Sequence, residues 1–185
     1  LCSQTMDAPV LATAGTIQGG NLSLLNNQVL RYSEKTHHHG FEITTLKVSH
    51  DTQEPCAFLV EASGVRTLLV TDVGEIRGLD ISQMTNIDYL YVESNHDEEM
   101  LRNGAYPWFL KKRIIGSGGH LNNEQGGTLI RMLAEQSPDL KSIMLAHLSH
   151  ENNEPEKALA TARQFAGPLP KVIWDVALQH EPREL

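Results

Sequence analysis

From residue 56 onward, short apolar runs alternate with stretches of helical period. AFLVEA (57–62) and VRTLLVT (65–71) flank Ser63-Gly64, a pattern that predicts a β-hairpin. IDYLYVE (87–93), rich in β-branched and aromatic residues, predicts a further strand, and so do KSIMLAH (141–147) and KVIWDV (171–176). Three helices lie between them. Pro107 stands near the start of PWFLKKRII, where a missing N–H costs nothing. Asn122 or Asn123 caps EQGGTLIRMLAEQ, and a third helix begins near Asn153 and Pro155, with Ala158, Ala162 and Phe165 on one stripe and Gly167 as its stop. In the first fifty residues PVLAT (9–13) and FEITTLKV (41–48) predict strands, the latter with a bulge where the apolar phase slips between Ile43 and Leu46. Thr36-His37-His38-His39-Gly40 reads as a polar loop beside it. With no repeat, linker or low-complexity tract, residues 1–185 read as one α/β domain with mixed strand pairing.

Composition adds bounds. The chain has 185 residues, 40% hydrophobic and 21% charged, enough for one proper core. No apolar stretch is long enough to span a membrane, and LCSQTMDAPVLATAG lacks the basic start and apolar centre of a secretory signal. Two cysteines, Cys2 and Cys56, make no disulfide framework, so free thiols and a cytoplasmic location are expected. A formal charge of −8 argues against bulk electrostatic gripping of nucleic acid, but not against a nuclease whose bound cations set the local field. Leu1 is not an initiator methionine, which suggests a processed, excised or incomplete chain.

The polar residues at strand ends carry the chemistry. Strand 41–48 runs into Ser49-His50-Asp51, strand 65–71 into Asp72-Val73-Gly74, strand 87–92 into Glu93-Ser94-Asn95-His96-Asp97, and strand 141–146 into His147. In open α/β sheets the carboxyl edge is where ligands bind. His120, in GSGGHLNN, precedes a helix where glycines let the backbone approach a ligand. Taken singly, each has a plainer reading: a strand-terminal histidine as a hydrogen-bonded turn residue, Asp72 as an Asx-turn, His120 as a helix-start residue. Together they favour a metal site, since imidazole and carboxylate are the ligand set of zinc, manganese and iron.

At these residues the chain resembles the metallo-β-lactamase fold, and more narrowly the YycJ-like (WalJ-like) hydrolases, relatives of ribonuclease Z. The resemblance rests on VSHDTQEP (48–55), LLVTDVG (68–74), VESNHDEEMLRNGAYPWFLKKRI (92–114), GHLNN (119–123) and LAHLSHENN (145–153), in order from about residue 41 to 166. It implies an αββα sandwich and two divalent metal ions, zinc or manganese. His50 would ligate the first, His147 the second, and Asp72 would bridge them. His120 would face the scissile phosphate as general acid or phosphate contact, and Glu93 would orient its ring. His96 and Asp97 would lie near the substrate, and His150 is a surface residue. The implied reaction is attack by a metal-bridging hydroxide on a phosphodiester, either nucleic acid or a small ester. Lys111, Lys112 and Arg113 are either phosphate contacts or a solvated helix face.

The family's HxHxDH motif does not occur in the 185 residues, and THHHG lacks its aspartate. The expectation is that the chain is the C-terminal portion of the fold. It would be poorly stable and inactive alone, its site completed by a missing N-terminal segment or by another copy of itself as a homo-oligomer. Two further classes stand beside the phosphodiesterase: a thioester hydrolase of the same fold, and a non-catalytic binding module with a degenerate metal site.

Overall fold

The computed structural model describes residues 8–22 and 26–179, so Cys2 lies outside the described residues. The described residues open with strand β1 (Val10–Thr13), a short helix α1 (Ala14–Gly19) and β2 (Asn27–Leu30); β1 and β2 pair in parallel as a two-stranded sheet. Thr13 caps α1 by accepting from the Thr16 N–H, and its hydroxyl donates to the Glu54 carbonyl. That bond ties this small layer to a loop of the second sheet, the one between its strands Phe41–Lys47 and Cys56–Ala62.

The second sheet has seven strands in chain order: β3 (Lys35–His38), β4 (Phe41–Lys47), β5 (Cys56–Ala62), β6 (Val65–Val70), β7 (Tyr89–Glu93), β8 (Ser142–Ala146) and β9 (Ile173–Val176). The first four form an antiparallel meander and the last four pair in parallel. Ser63 and Gly64 (φ +51° and +78°) make the expected tight hairpin, whose left-handed backbone matches strand twist. His39 and Gly40 (φ +45° and +87°) make a second one. The THHHG segment is therefore the end of an edge strand and its turn, not a loop: Thr36↔Ile43 and His38↔Phe41 are paired. It carries no apolar alternation because, at a sheet edge, there is little to bury.

The expected bulge in β4 is absent, since its register runs unbroken from Glu42↔Glu61 to Lys47↔Cys56. The slipped phase has another cause. Leu46 is buried in the core, and Thr45, on the opposite face, is buried by the crossing segment 31–33, its hydroxyl donating to the Arg31 carbonyl.

Between β7 and β8 come α2 (Glu98–Asn103), α3 (Trp108–Ile115) and α4 (Asn123–Glu135); α5 (Pro155–Ala166) links β8 to β9. Asn122 and Gln125 close a capping box on α4, and Gly167 (φ +80°) ends α5. α4 buries Leu129, Ile130 and Leu133 against the sheet. A Cβ on Gly126 would meet the Glu93 carbonyl at 2.7 Å, and one on Gly127 the Ala162 carbonyl at 2.6 Å. Two helix-interior glycines cost about 2 kcal/mol in propensity. Three fully buried aliphatic side chains contribute about 6 kcal/mol, so close packing wins. The opposite face of the sheet borders an apolar groove, with Ala12 and Thr13 on one side and Phe58, Leu69 and Tyr91 on the other. No described helix is long and apolar enough to cross a membrane.

Candidate metal centre

Strands β6, β7 and β8 are parallel, and β4, two antiparallel steps from β6, runs the same way, so all four end at one edge. That edge gathers His50, Asp72, Glu93 and His147, and the loop between α3 and α4 brings His120 to them. The loop fits because it is glycine-rich. A Cβ on Gly119 would run into the Ile114 carbonyl, and one on Gly74 into the Ser117 carbonyl. Freed of side chains, the segments interlock: the Asp51 N–H donates to the Gly118 carbonyl (2.9 Å) and the Gly74 N–H to the Ser49 carbonyl (2.6 Å). Asp72 and His147 both adopt φ +58°, an uncommon conformation for side-chain-bearing residues and one that collects at functional sites.

Asp72 Oδ1 stands 3.6 Å from three ring nitrogens, His50 Nε2, His120 Nδ1 and His147 Nε2, outside hydrogen-bond range of each. Neighbouring imidazoles lie with ring centroids 5.0 Å apart. Behind them sits Glu93, with none of its side chain exposed. Its Oε1 accepts from His120 Nδ1 (2.7 Å) and His147 Nδ1 (2.9 Å), and its Oε2 accepts the Val73 N–H (2.8 Å) and, at 3.4 Å, the Leu121 N–H. Burial works to raise the Glu93 pKa, and these donors outweigh it and hold the carboxyl below its ordinary value. In return the bond to Glu93 raises the His147 pKa against the desolvation that lowers it. His50 Nδ1 bonds to the Gly119 carbonyl at 2.9 Å. A carbonyl only accepts, so this bond assigns the proton to Nδ1 and leaves the Nε2 lone pair facing Asp72; the carboxylate behind His147 makes the same assignment there.

No profile of a known protein family matches the chain. It is 39% identical over 121 residues to exodeoxyribonuclease WalJ of Streptococcus pneumoniae serotype 2 (strain D39 / NCTC 7466), a match covering 65% of this chain and 44% of that protein. It is 36% identical over 123 residues to exodeoxyribonuclease YycJ of Bacillus anthracis, covering 66% and 46%. The chain thus spans less than half the length of these curated relatives. The crystal structure of the metallo-β-lactamase fold protein YhfI from Bacillus subtilis superposes with a TM-score of 0.66 at 17% identity, covering 91% of this chain and 61% of YhfI. The chain has the metallo-β-lactamase fold.

Within this metallo-β-lactamase fold, donor atoms of Asp72, Glu93, His120 and His147 all lie within 4.8 Å of one another, a group suited to divalent metal ions. The donor chemistry fits. Two lone pairs and a carboxylate oxygen converge, an arrangement a cation relieves. Ligand atoms about 2.1 Å from a shared tetrahedral ion stand about 3.4 Å apart, close to the 3.6 Å found here. Glu93 is less suited to coordinate, because both its oxygens already accept hydrogen bonds.

His96 and Asp97 are not brought into the cleft. His96 is 1% exposed, its Nδ1 3.2 Å from Asn95 Oδ1 and its Nε2 buried without a partner. Asp97 caps α2 by accepting the Met100 N–H. The NHD, LNN and ENN stretches instead build a buried polar lattice under the site. Asn123 and Asn153 exchange side-chain amide bonds (3.0 and 2.9 Å), Ser94 donates to Asn123, Asn153 donates to the Ser94 carbonyl, and Asn95 donates to the His147 carbonyl. Burial pushes the His96 pKa down from 6.5 to about 4. Between those values the unfolded chain takes up a proton that the folded one refuses. Stability should therefore fall by about 3 kcal/mol as the pH drops from 6.5 to 4, and level off below. Urea titrations of wild type and His96→Gln across that window check this; a variant with the same pH slope would refute it.

His150 and Arg113 both line the cleft, the first unforeseen and the second in line with one of the two readings of the basic run 111–113. His150, expected at the surface, is exposed yet lines the cleft of about 360 Å3 beside His120 and His147. Arg113 lines it too, bonded to Asp51 through Nε (2.6 Å) and Nη2 (3.3 Å), which holds the Asp51 carboxyl below its ordinary range. Lys111, by contrast, is committed to the carbonyls of Arg102 and Gly104.

Proposed function

We propose that this chain carries the hydrolytic centre of a metal-dependent phosphodiesterase acting on nucleic acid, and that DNA is the substrate, the class named for its Streptococcus and Bacillus homologues. One observation carries the reading: the Nε2 atoms of His50 and His147 converge on Asp72 in front of a buried carboxylate. In this reading His50 would help to hold one divalent ion and His147 a second, with Asp72 serving both; zinc and manganese both suit imidazole and carboxylate. When bound, the ions supply Lewis-acid charge that acidifies water and neutralises the phosphate.

The chain's own residues do the remaining work. Glu93 fixes the tautomer and orientation of both His120 and His147, as an orienting carboxylate does for a ligating or proton-transferring imidazole. With Nδ1 held by Glu93, His120 keeps Nε2 for the substrate, where the ring contacts the phosphate or, when it carries a second proton on Nε2, delivers that proton to the departing oxygen. Asn95 and the lattice beneath it hold the β8 end so that His147 keeps its position.

The test uses the full-length product of the natural gene, assayed on bis(p-nitrophenyl) phosphate and on end-labelled single-stranded DNA. Turnover should require manganese or zinc and vanish in EDTA. His147→Ala should lower it at least about a hundredfold while moving the metal-free melting temperature by no more than about 5 °C. Full turnover in His147→Ala would overturn the ligand assignment.

A further inference from the structure

We propose that α3 is a stacking platform for an unpaired nucleic-acid strand, continuous with the rim of the metal cleft; this rests on the phosphodiesterase reading. None of the residues of α3 is buried, and its first two, Trp108 and Phe109, are 67% and 74% exposed, the most exposed large apolar side chains among the described residues. Neither has an evident role in the fold. Each stands four residues before a cation, Trp108 before Lys112 and Phe109 before Arg113, and residues four apart share a helix face. The first pair is already in contact, Lys112 Nζ lying 5.5 Å from the Trp108 ring centroid.

Successive pairs are turned by about 100° around the helix axis. Leu110, Arg113 and Ile114 line the cleft, so the Phe109–Arg113 pair sits at its rim and the Trp108–Lys112 pair one step further out. Tyr106, just before the helix, lines the cleft itself. The surface thus sets two exposed aromatic faces beside the Lys112 cation and an Arg113 whose charge is shared with Asp51, the complement of bases beside a phosphate, and does so outward from the proposed site of cleavage. A duplex hides its base faces, so the strand this surface fits is single. The cations are local: the chain as a whole carries a net charge of −8.

The experiment measures fluorescence anisotropy of labelled oligothymidylate with the full-length protein in EDTA, where nothing is cut. The double variant Trp108→Ala, Phe109→Ala should bind at least about tenfold more weakly, while its manganese-dependent turnover of bis(p-nitrophenyl) phosphate stays within about twofold of wild type. Lys112→Glu, which leaves the aromatic surface in place, should also weaken binding and flatten its salt dependence. Unchanged affinity in either variant, with wild-type turnover of the small ester, overturns the platform and leaves the phosphodiesterase reading standing. Absence of small-ester turnover in the wild type sinks that reading instead. If the double variant loses binding to vesicles of equal parts phosphatidylcholine and phosphatidylglycerol but not to oligothymidylate, the surface is a membrane contact and the proposal fails.

Discussion

Replacing Glu93 by Gln should cut phosphodiester turnover by at least about a hundredfold and metal affinity by about ten- to a hundredfold. The two side chains are nearly isosteric, so the effect isolates hydrogen-bond polarity. Glu93 accepts at both oxygens, from two imidazoles at one and two backbone N–H groups at the other. An amide accepts at one end only. If its NH2 replaces Oε1, it faces two ring N–H groups, and each ring must move its proton to Nε2. For His147 that is the atom that looks at Asp72, and a protonated nitrogen is no metal ligand. If its NH2 replaces Oε2, the buried Val73 N–H loses its acceptor, at a cost of about 1–3 kcal/mol. The amide also lacks the charge that keeps His147 basic. Calorimetric titration with manganese and zinc, beside turnover of bis(p-nitrophenyl) phosphate, checks this. A variant with wild-type affinity and rate would show that Glu93 does not set the histidine tautomers.

This dependence on one buried carboxylate shows what the sequence alone conveyed. That Glu93 ends a strand was visible from IDYLYVE, and that it sits beside His120 followed from the resemblance. Its second partner, His147, is 54 residues away in the chain, and its bond arises only because β7 and β8 lie side by side with Glu93 opposite Ala146. Local signals served well where structure is local: the Ser63-Gly64 turn, the Asn122 cap, the Gly167 stop. They failed where a residue's neighbours come from afar. Thr45 looked like a broken alternation because its cover is a crossing segment. His96 and Asp97 were expected near the substrate from the resemblance of the NHD stretch, whereas here the strand end is sealed by the asparagine lattice of α4 and the loop before α5. Edge strand β3 and short helices α1 and α2 bury too little to leave a periodic pattern. His150 reaches the cleft by the path of its loop, which no spacing rule encodes.

Asp72→Asn should abolish the response to metal while leaving the metal-free fold within about 1 kcal/mol of wild type. Left-handed backbone at φ +58° is tolerated by Asn as readily as by Asp, so no strain is added. In the metal-free protein the Asp72 carboxylate stands 3.6 Å from His50 Nε2, His120 Nδ1 and His147 Nε2, too far to hydrogen-bond any of them. An amide there forfeits no hydrogen bond and loses only the attraction by which Asp72 helps to raise the His147 pKa. The expected change is within about 1 kcal/mol, or about 2–4 °C in melting temperature. With metal the two proteins separate. An ion at a hundred times its dissociation constant stabilises the wild type by about 2.7 kcal/mol. The variant should gain almost nothing, because the oxygen proposed to join both ions has lost its charge. Turnover should fall by about a thousandfold or more. Thermal melts of both proteins with and without manganese separate the contributions. If Asp72→Asn keeps the wild-type metal-induced shift, Asp72 is not the bridge; if it melts far below wild type without metal, the carboxylate is structural and its convergence with the imidazoles has another purpose.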